Sequence, residues 1–588
     1  MSRREEALSR IHPLVAELHR HQRGLPEGIA DGAARSPSLV YADGLLRHAL
    51  AGSERSLLPR QLVVIGPTQS GKSTLVNLLL GAQAAQASPL AGFTRHAQGF
   101  LCGTGAEGWS GVLQRLLPDW ERLPAADQAG ARGDQYSVQA VVTDPAPWGR
   151  EPLLVWDTPD FDSVASCHYR DSVPALCALA DLVLLVVSRE KYADQSVWNM
   201  LRLLSGVGIP LLICLNKVDS GSEAALLDSL RSRLTEESLP CAGLLTLPYR
   251  AGIGDDPSLS GEGDDLRRHC SALLERDRGE RPGLAGFLRR HWPAWTGPVR
   301  NELDAADQWR QQVEEAVTAA LQIYRRDYLE DTRCSDALQR AMVQLLELLE
   351  IPGLAAALVR ARRLVTWPAN RIRELVRTRR RQAGGGPGPD AETRVLDEAL
   401  GHLLTRLQHG LAERALEQGP PLSAWWQAMG RDFDRERQPL EQAFTDATGH
   451  YRAGFDHEIQ QAARRLMRHL QAHPVTLNSL RAARVTTDAA AVALAVKTGG
   501  IGLNDLIVAP AMLSFTTLLT EGAVGGYLQQ VGKELRQRQQ QLVEETLFRG
   551  VVVPRLDSLP ERIRCDRCHG IRRETLEQAD RALESLRG

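Results

Sequence analysis

Gly66-Pro67-Thr68-Gln69-Ser70-Gly71-Lys72-Ser73 follows the spacing G-x-x-x-x-G-K-[S/T]. Ahead of it lies Gln61-Leu62-Val63-Val64-Ile65, a short apolar run rich in β-branched residues, which predicts a buried strand. Behind it, Thr74-Leu75-Val76-Asn77-Leu78-Leu79-Leu80 predicts a helix stopped by Gly81. Strand, glycine loop and helix form the arrangement that phosphate binding needs. Glycines let backbone N–H groups curl round an anion, and the helix N-terminus adds partial positive charge. A chance match in a Gly-rich chain would not bring this context with it. Gly66, Gln69, Ser70, Gly71, Lys72, Ser73 and Thr74 are therefore the candidate phosphate contacts. Lys72 would reach the β- and γ-phosphates, and the Ser73 hydroxyl would ligate Mg²⁺.

At 588 residues the chain is too long for one core, so two or more domains are expected. Charged residues make up 24% and hydrophobic residues 43%, a globular composition and not a disordered one. The formal net charge of −2 supplies no global basic field for nucleic acid, so any charged partner must meet a local patch. Nine unevenly spaced cysteines do not read as a disulfide framework. The start, Met1-Ser2-Arg3-Arg4-Glu5-Glu6, opens a charged helical pattern without an apolar signal region. The expected setting is reducing and cytoplasmic.

Residues 1–55 read as polar helices broken near Gly24-Leu25-Pro26 and Ser36-Pro37, and a nucleotide-binding domain is expected over 56–295. Thr94, in the loop about twenty residues beyond Lys72, stands where a switch threonine would sense Mg²⁺ and the γ-phosphate. An ordinary loop threonine is the alternative. Residues 103–133, rich in Gly, Trp and Pro, read as an insertion. Strands are expected at Tyr136–Val142, Pro152–Trp156, Asp181–Val187, Pro210–Leu215 and Gly243–Pro248. The second of these ends at Asp157-Thr158-Pro159-Asp160. A carboxylate at the C-terminal end of a parallel strand faces the phosphate crevice, so Asp157 is the candidate Mg²⁺ carboxylate. The fourth delivers Asn216-Lys217-Val218-Asp219. The Asp219 carboxylate can accept from the N1–H and 2-amino group of guanine, a donor pair that adenine lacks. The Lys217 stem can lie over the ring, and Asn216 can brace the loop and contact the base.

With GPTQSGKS, Thr94, DTPD and NKVD together, the segment from about Ser56 to Trp295 resembles the GTPase domains of Era and the dynamin-like proteins, translation-factor-class P-loop GTPases. The resemblance implies an α/β P-loop NTPase domain, with a mostly parallel sheet and helices on both faces. It also implies GTP, GDP and Mg²⁺ as ligands, and slow hydrolysis coupled to switch movement. Three departures stand out. Asp160 replaces the glycine of DTPG, whose N–H would meet the γ-phosphate. It adds a second carboxylate there, so the switch can sit differently. Phe161 stands where Ras-like relatives place a water-orienting Gln; relatives with an apolar residue there often position the water by dimerising. Gln69 occupies the slot of an Era-type cation-coordinating Asn, which leaves potassium stimulation open. The monomer is expected to turn over well under about once per second.

From residue 296 to 588 the chain reads as a large all-α bundle or stalk. Leu396, Leu400, Leu403, Leu407 and Leu411 step by three or four and form one apolar stripe. Gln529 to Leu547 reads as a polar helix. Breaks are expected at Gly384–Pro389, Gly419-Pro420-Pro421 and His473-Pro474. Residues 351–381 mix apolar positions and Trp367 with nine arginines and the single acid Glu374, a composition suited to an anionic lipid surface. A bundle helix with a solvated arginine face and an RNA-facing patch are the alternatives. Residues 489–527 are the least charged, but Asp505, several glycines and Pro510 argue against a membrane span. A buried hairpin is the first reading and a shallow membrane tip the second. Cys565-Asp566-Arg567-Cys568-His569 matches a haem-attachment spacing, but a zinc site needs a fourth ligand and haem attachment needs export, so it reads as coincidence.

The expected function is that of a cytoplasmic GTPase, peripheral at the inner face of a membrane, with a nucleotide-dependent homodimer and a dynamin-like helical domain. The alternatives are an Era-like switch acting on ribosome or RNA assembly, and a scaffold that binds GTP but barely hydrolyses it.

Overall fold

The computed structural model describes residues 2–25, 36–86, 94–103, 108–124, 134–143, 148, 151–162, 171–219, 221–248, 261–275, 281–330, 336–348, 389–474, 525–563 and 565–586. It divides into two compact units. One comprises Met1–Asn301 with His569–Gly588, and the other Glu302–Cys568. The sequence pattern carries the helical part on to Gly588, whereas the last stretch groups with the first unit. The reason is contact: the helix Arg573–Ser585 packs on the helix Arg3–Gly24. It is also tied down by the Trp292 indole N–H, which donates to Asp580 at 2.7 Å.

The first unit is built on an eight-stranded sheet. Its strands are β1 (Arg60–Ile65), β2 (Ala97–Cys102), β3 (Glu121–Leu123), β4 (Gln135–Ala140), β5 (Leu153–Asp157), β6 (Leu182–Ser188), β7 (Leu211–Val218) and β8 (Gly243–Pro248). Their order is β3-β4-β2-β5-β1-β6-β7-β8. Every pairing is parallel except that of β2 with β5, where Gln98 faces Asp157. β1 lies between β5 and β6, with Val64 level with Asp157 on one side and Leu184 on the other. From Gln61 to Ile65 every residue of β1 is buried, as in a strand covered on both faces. Leu62 and Val64 join Leu75, Val76 and Leu79 of the helix Lys72–Leu80 in one cluster with Leu273. Val63 and Ile65 alternate to the opposite side and are buried as well.

Among its described residues the 103–133 stretch holds the helix Trp109–Leu116 and β3. The N-terminal helix Arg3–Gly24 opens with a reciprocal cap. Ser2 Oγ accepts from Glu5 N, and the Glu5 carboxylate accepts from Ser2 N at 2.8 Å. This helix packs against the helix Pro37–Leu50, which in turn meets the fully buried helix Ser172–Leu179.

The second unit is mostly helical where it is described. It includes Asp336–Leu348, Pro389–Glu417, Leu422–Gln471 and Gly525–Val543, the last running into a π-helical stretch Glu544–Val552. The leucine stripe is buried, with Leu396, Leu403 and Leu407 in one core with Trp309, Phe433 and Phe444. The Gly419-Pro420-Pro421 break falls between two of these helices. Inside the unit a buried carboxylate, Glu392, accepts from Tyr324 Oη, Tyr451 Oη and Gln539 Nε2 at 2.8–2.9 Å. All three donors meet on its Oε1, so that buried oxygen is hydrogen-bonded within the unit. No helix among the described residues is long and apolar enough to cross a membrane. Residues 351–381, and 489–527 except its last three, lie outside the described residues.

Candidate functional site

The loop Gly66–Gly71 runs from the C-terminal end of β1 into the helix Lys72–Leu80. Gly71 is left-handed, at φ 93°, and ends the loop. A Cβ there would lie 2.3 Å from Asn216 Nδ2. Glycine is therefore required both by the backbone and by the approach of the NKVD segment. At Gly66 a Cβ would meet Val186 O at 2.3 Å. Gln69 also has positive φ, at 59°.

Lys72 is buried and its ammonium turns back over the loop. It donates to Gly66 O at 3.1 Å, to Pro67 O at 3.2 Å and to the Asp160 carboxylate. Ser73 Oγ donates to Asp157 Oδ2 at 2.6 Å. The other carboxylate oxygen of Asp157 and the Ser70 hydroxyl are buried without a hydrogen-bond partner among the described residues. Burial pushes the Asp157 carboxyl up to about 6, against the Ser73 hydrogen bond and the Lys72 charge, which pull it down; nearby Asp160 adds to the rise.

The NKVD segment closes the loop from the other side. Asn216 Nδ2 donates to Ser70 O at 2.9 Å, and its Oδ1 accepts from Lys217 N at 2.9 Å. Lys217 Nζ donates to Gln69 O at 2.8 Å. Asp219 is exposed and paired with Arg189, which follows the C-terminal end of β6. Gly66, Gln69, Ser70, Gly71, Lys72, Ser73, Asp157, Asn216 and Lys217 thus converge on one loop. Thr74 lies in the first turn of the helix. Thr94 precedes β2, and among the described residues no hydrogen bond joins it to Ser73 or Asp157.

Three participants belong to no motif in the sequence. Asp162 Oδ1 accepts from Thr68 N at 2.6 Å and from Thr68 Oγ1 at 2.7 Å. Lys191 Nζ holds its other oxygen at 3.1 Å. Arg189 is the third. Lys191 and Arg189 follow the C-terminal end of β6, the sheet edge where crevice residues collect, and that position is the one signal that could have found them.

Residues 61–217 match the family described as 50S ribosome-binding GTPase. A comparison with curated proteins gives no match. Among solved structures, Era in complex with MgGDPNP and 16S ribosomal RNA is 15% identical, with a TM-score of 0.24; the match covers 38% of this chain and 59% of that one. Bacterial selenocysteine-specific elongation factor EF-Sec is 15% identical, with a TM-score of 0.22, over 37% of this chain and 29% of that one. A member of an oligomerised bacterial dynamin pair is 11% identical, with a TM-score of 0.39, over 93% of this chain and 91% of that one. The chain thus spans less than two thirds of the Era and EF-Sec chains. The family match, which spans less than half of the chain, and the loop geometry agree on a P-loop GTPase-type domain over residues 61–217.

Proposed function

We propose that the protein binds GTP with Mg²⁺ and hydrolyses it slowly to GDP and phosphate. Its nucleotide state would set what the helical unit does, in dynamin-like fashion, at an anionic membrane surface. The observation that carries the nucleotide part is the convergence of the two motifs. Asn216 and Lys217 hold the backbone of Ser70 and Gln69, so base-reading and phosphate-binding segments are one object. Asp219 then stands at the end of β7 to accept from guanine, with Arg189 yielding its place on that carboxylate.

The residues fit a hard divalent cation. The unpartnered, buried Asp157 oxygen is an anionic acceptor beside the Ser73 hydroxyl. Mg²⁺ is held by one or two carboxylates together with substrate phosphates and does not require an all-protein cage. Ser73, Thr94 and Asp157 would hold it, and when bound it neutralises phosphate charge. Lys72 would orient the β- and γ-phosphates, and Gly71 and the helix N-terminus would supply backbone donors. Phe161 offers no group to orient the attacking water. That assistance would come in trans, from a homodimer, and groups supplied so are worth ~10³–10⁵ in such enzymes.

The membrane part is supported by composition alone, in residues 351–381 and 489–527, and a cytoplasmic setting by the cysteine pattern alone. The test of the chemistry is phosphate release by the full chain and by Lys72→Ala at several protein concentrations. The expected wild-type rate is slow and rises with concentration, and Lys72→Ala lowers it more than about tenfold. Equal rates for the two proteins would show that the loop does no chemistry, the outcome expected of a scaffold that scarcely hydrolyses.

A further inference from the structure

Three carboxylates from one short stretch grip the phosphate loop and the first turn of the helix that follows it. Asp157 takes the Ser73 hydroxyl, Asp160 takes the Lys72 ammonium, and Asp162 takes the Thr68 N–H and hydroxyl. The Lys72 and Asp160 side chains are 6% and 13% exposed, so the pair is largely removed from water. Lys191 ties the far oxygen of Asp162 and so steadies the turn that presents Asp160. A buried ammonium facing a buried carboxylate does not leave it without a replacement anion, because an uncompensated charge is costly there.

When the site holds a guanine nucleotide, the reading on which this proposal rests, the Lys72 ammonium is the group that meets the β- and γ-phosphates. With a diphosphate, Lys72 can serve the β-phosphate while the Asp160 carboxylate fills the anionic place beyond it. With a triphosphate, the terminal phosphate and Asp160 compete for one donor, and like charges at close range in a shielded site repel strongly. We propose that Asp160 is a specificity-determining residue: its carboxylate stands in for the terminal phosphate and biases the site toward GDP until the Asp157–Asp162 stretch moves aside. A glycine at this position, the residue of the DTPG pattern, could exert no such bias.

The test is fluorescence titration of the full chain, with Mg²⁺, using a labelled GDP and an identically labelled non-hydrolysable GTP analogue. Wild type, Asp160→Gly, Asp160→Asn and Lys72→Ala are compared. Wild type is expected to prefer GDP by about tenfold or more. Both Asp160 variants should tighten the GTP analogue by about tenfold while moving GDP by less than about threefold. Asp160→Asn keeps the side chain's size, so agreement between the two variants separates charge from backbone freedom, and retained GDP binding shows that the domain is folded. An unchanged ratio of the two affinities in Asp160→Asn, with GDP binding intact, overturns the proposal alone. Wild type binding neither nucleotide, or Lys72→Ala binding both as wild type does, overturns the guanine-nucleotide reading beneath it.

Discussion

Asp43 shows how a single buried charge can anchor an element outside the nucleotide site. It is 3% exposed, on the helix Pro37–Leu50. Burial by itself would push its carboxyl up. Hydrogen bonds from His12 at 3.1 Å and His19 at 2.9 Å, together with Arg47 at 3.0 Å, outweigh that and hold it well below the usual carboxylate range. His12 and His19 belong to the N-terminal helix, so this carboxylate binds the two helices together. Since the folded value is depressed, its stabilisation is fully present above the unfolded value of about 3.9 and is lost progressively as pH falls from there through the folded value. Asp43→Ala is expected to cost about 2–4 kcal/mol at pH 7, because it strands Arg47 beside two histidines without an acceptor. Urea unfolding followed through the first unit at pH 7 and at pH 2.5 checks this. The gap between variant and wild type should narrow at the lower pH, and a gap independent of pH would refute the electrostatic account.

At the scale of elements, β2 sets local propensity against packing. Its middle residue, Gly99, sits level with Trp156 of β5 and Val138 of β4. A Cβ there would lie 3.1 Å from the Trp156 ring, 3.2 Å from Leu154 and 3.2 Å from Val138. Strand propensity favours Gly99→Val by up to about 1 kcal/mol. Overpacking costs about 1–3 kcal/mol, so the net expectation is destabilisation. A thermal melt of the variant checks the sign, and a gain in stability would mean that the contact relaxes freely. The same glycine explains why β2 was not legible in the sequence while β1, β5, β6 and β7 were. Those four are continuous apolar runs buried on both faces, and their signal is local. β2 is interrupted by a residue chosen for its neighbours. The site divides in the same way. Loop and NKVD residues carry fixed spacings tied to phosphate and base chemistry. Asp162, Lys191 and Arg189 act through pairings 29–94 positions apart in the chain, which no local pattern encodes. The grouping of Arg573–Ser585 with the first unit is likewise a matter of which surface its apolar face meets.

For the whole molecule, the proposed function joins a nucleotide-binding unit to a helical one whose action is read at a surface. If the arginines of residues 360–381 meet anionic lipid, the full chain should sediment with phosphatidylserine-containing vesicles. Neutralising that cluster should reduce the bound fraction severalfold, at about 1 kcal/mol for each charge near the surface. Sedimentation with ribosomes in place of vesicles would favour the Era-like alternative. Beneath these outcomes lies one claim: the loop between β1 and the helix Lys72–Leu80 closes round the phosphates of a guanine nucleotide. Calorimetric titration of the pure full chain with GDP, GTP and ATP in the presence of Mg²⁺ tests it most directly. Saturable heat is predicted for GDP and GTP, with none for ATP at matched concentration; no heat for either guanine nucleotide, or ATP binding equally well, would contradict it.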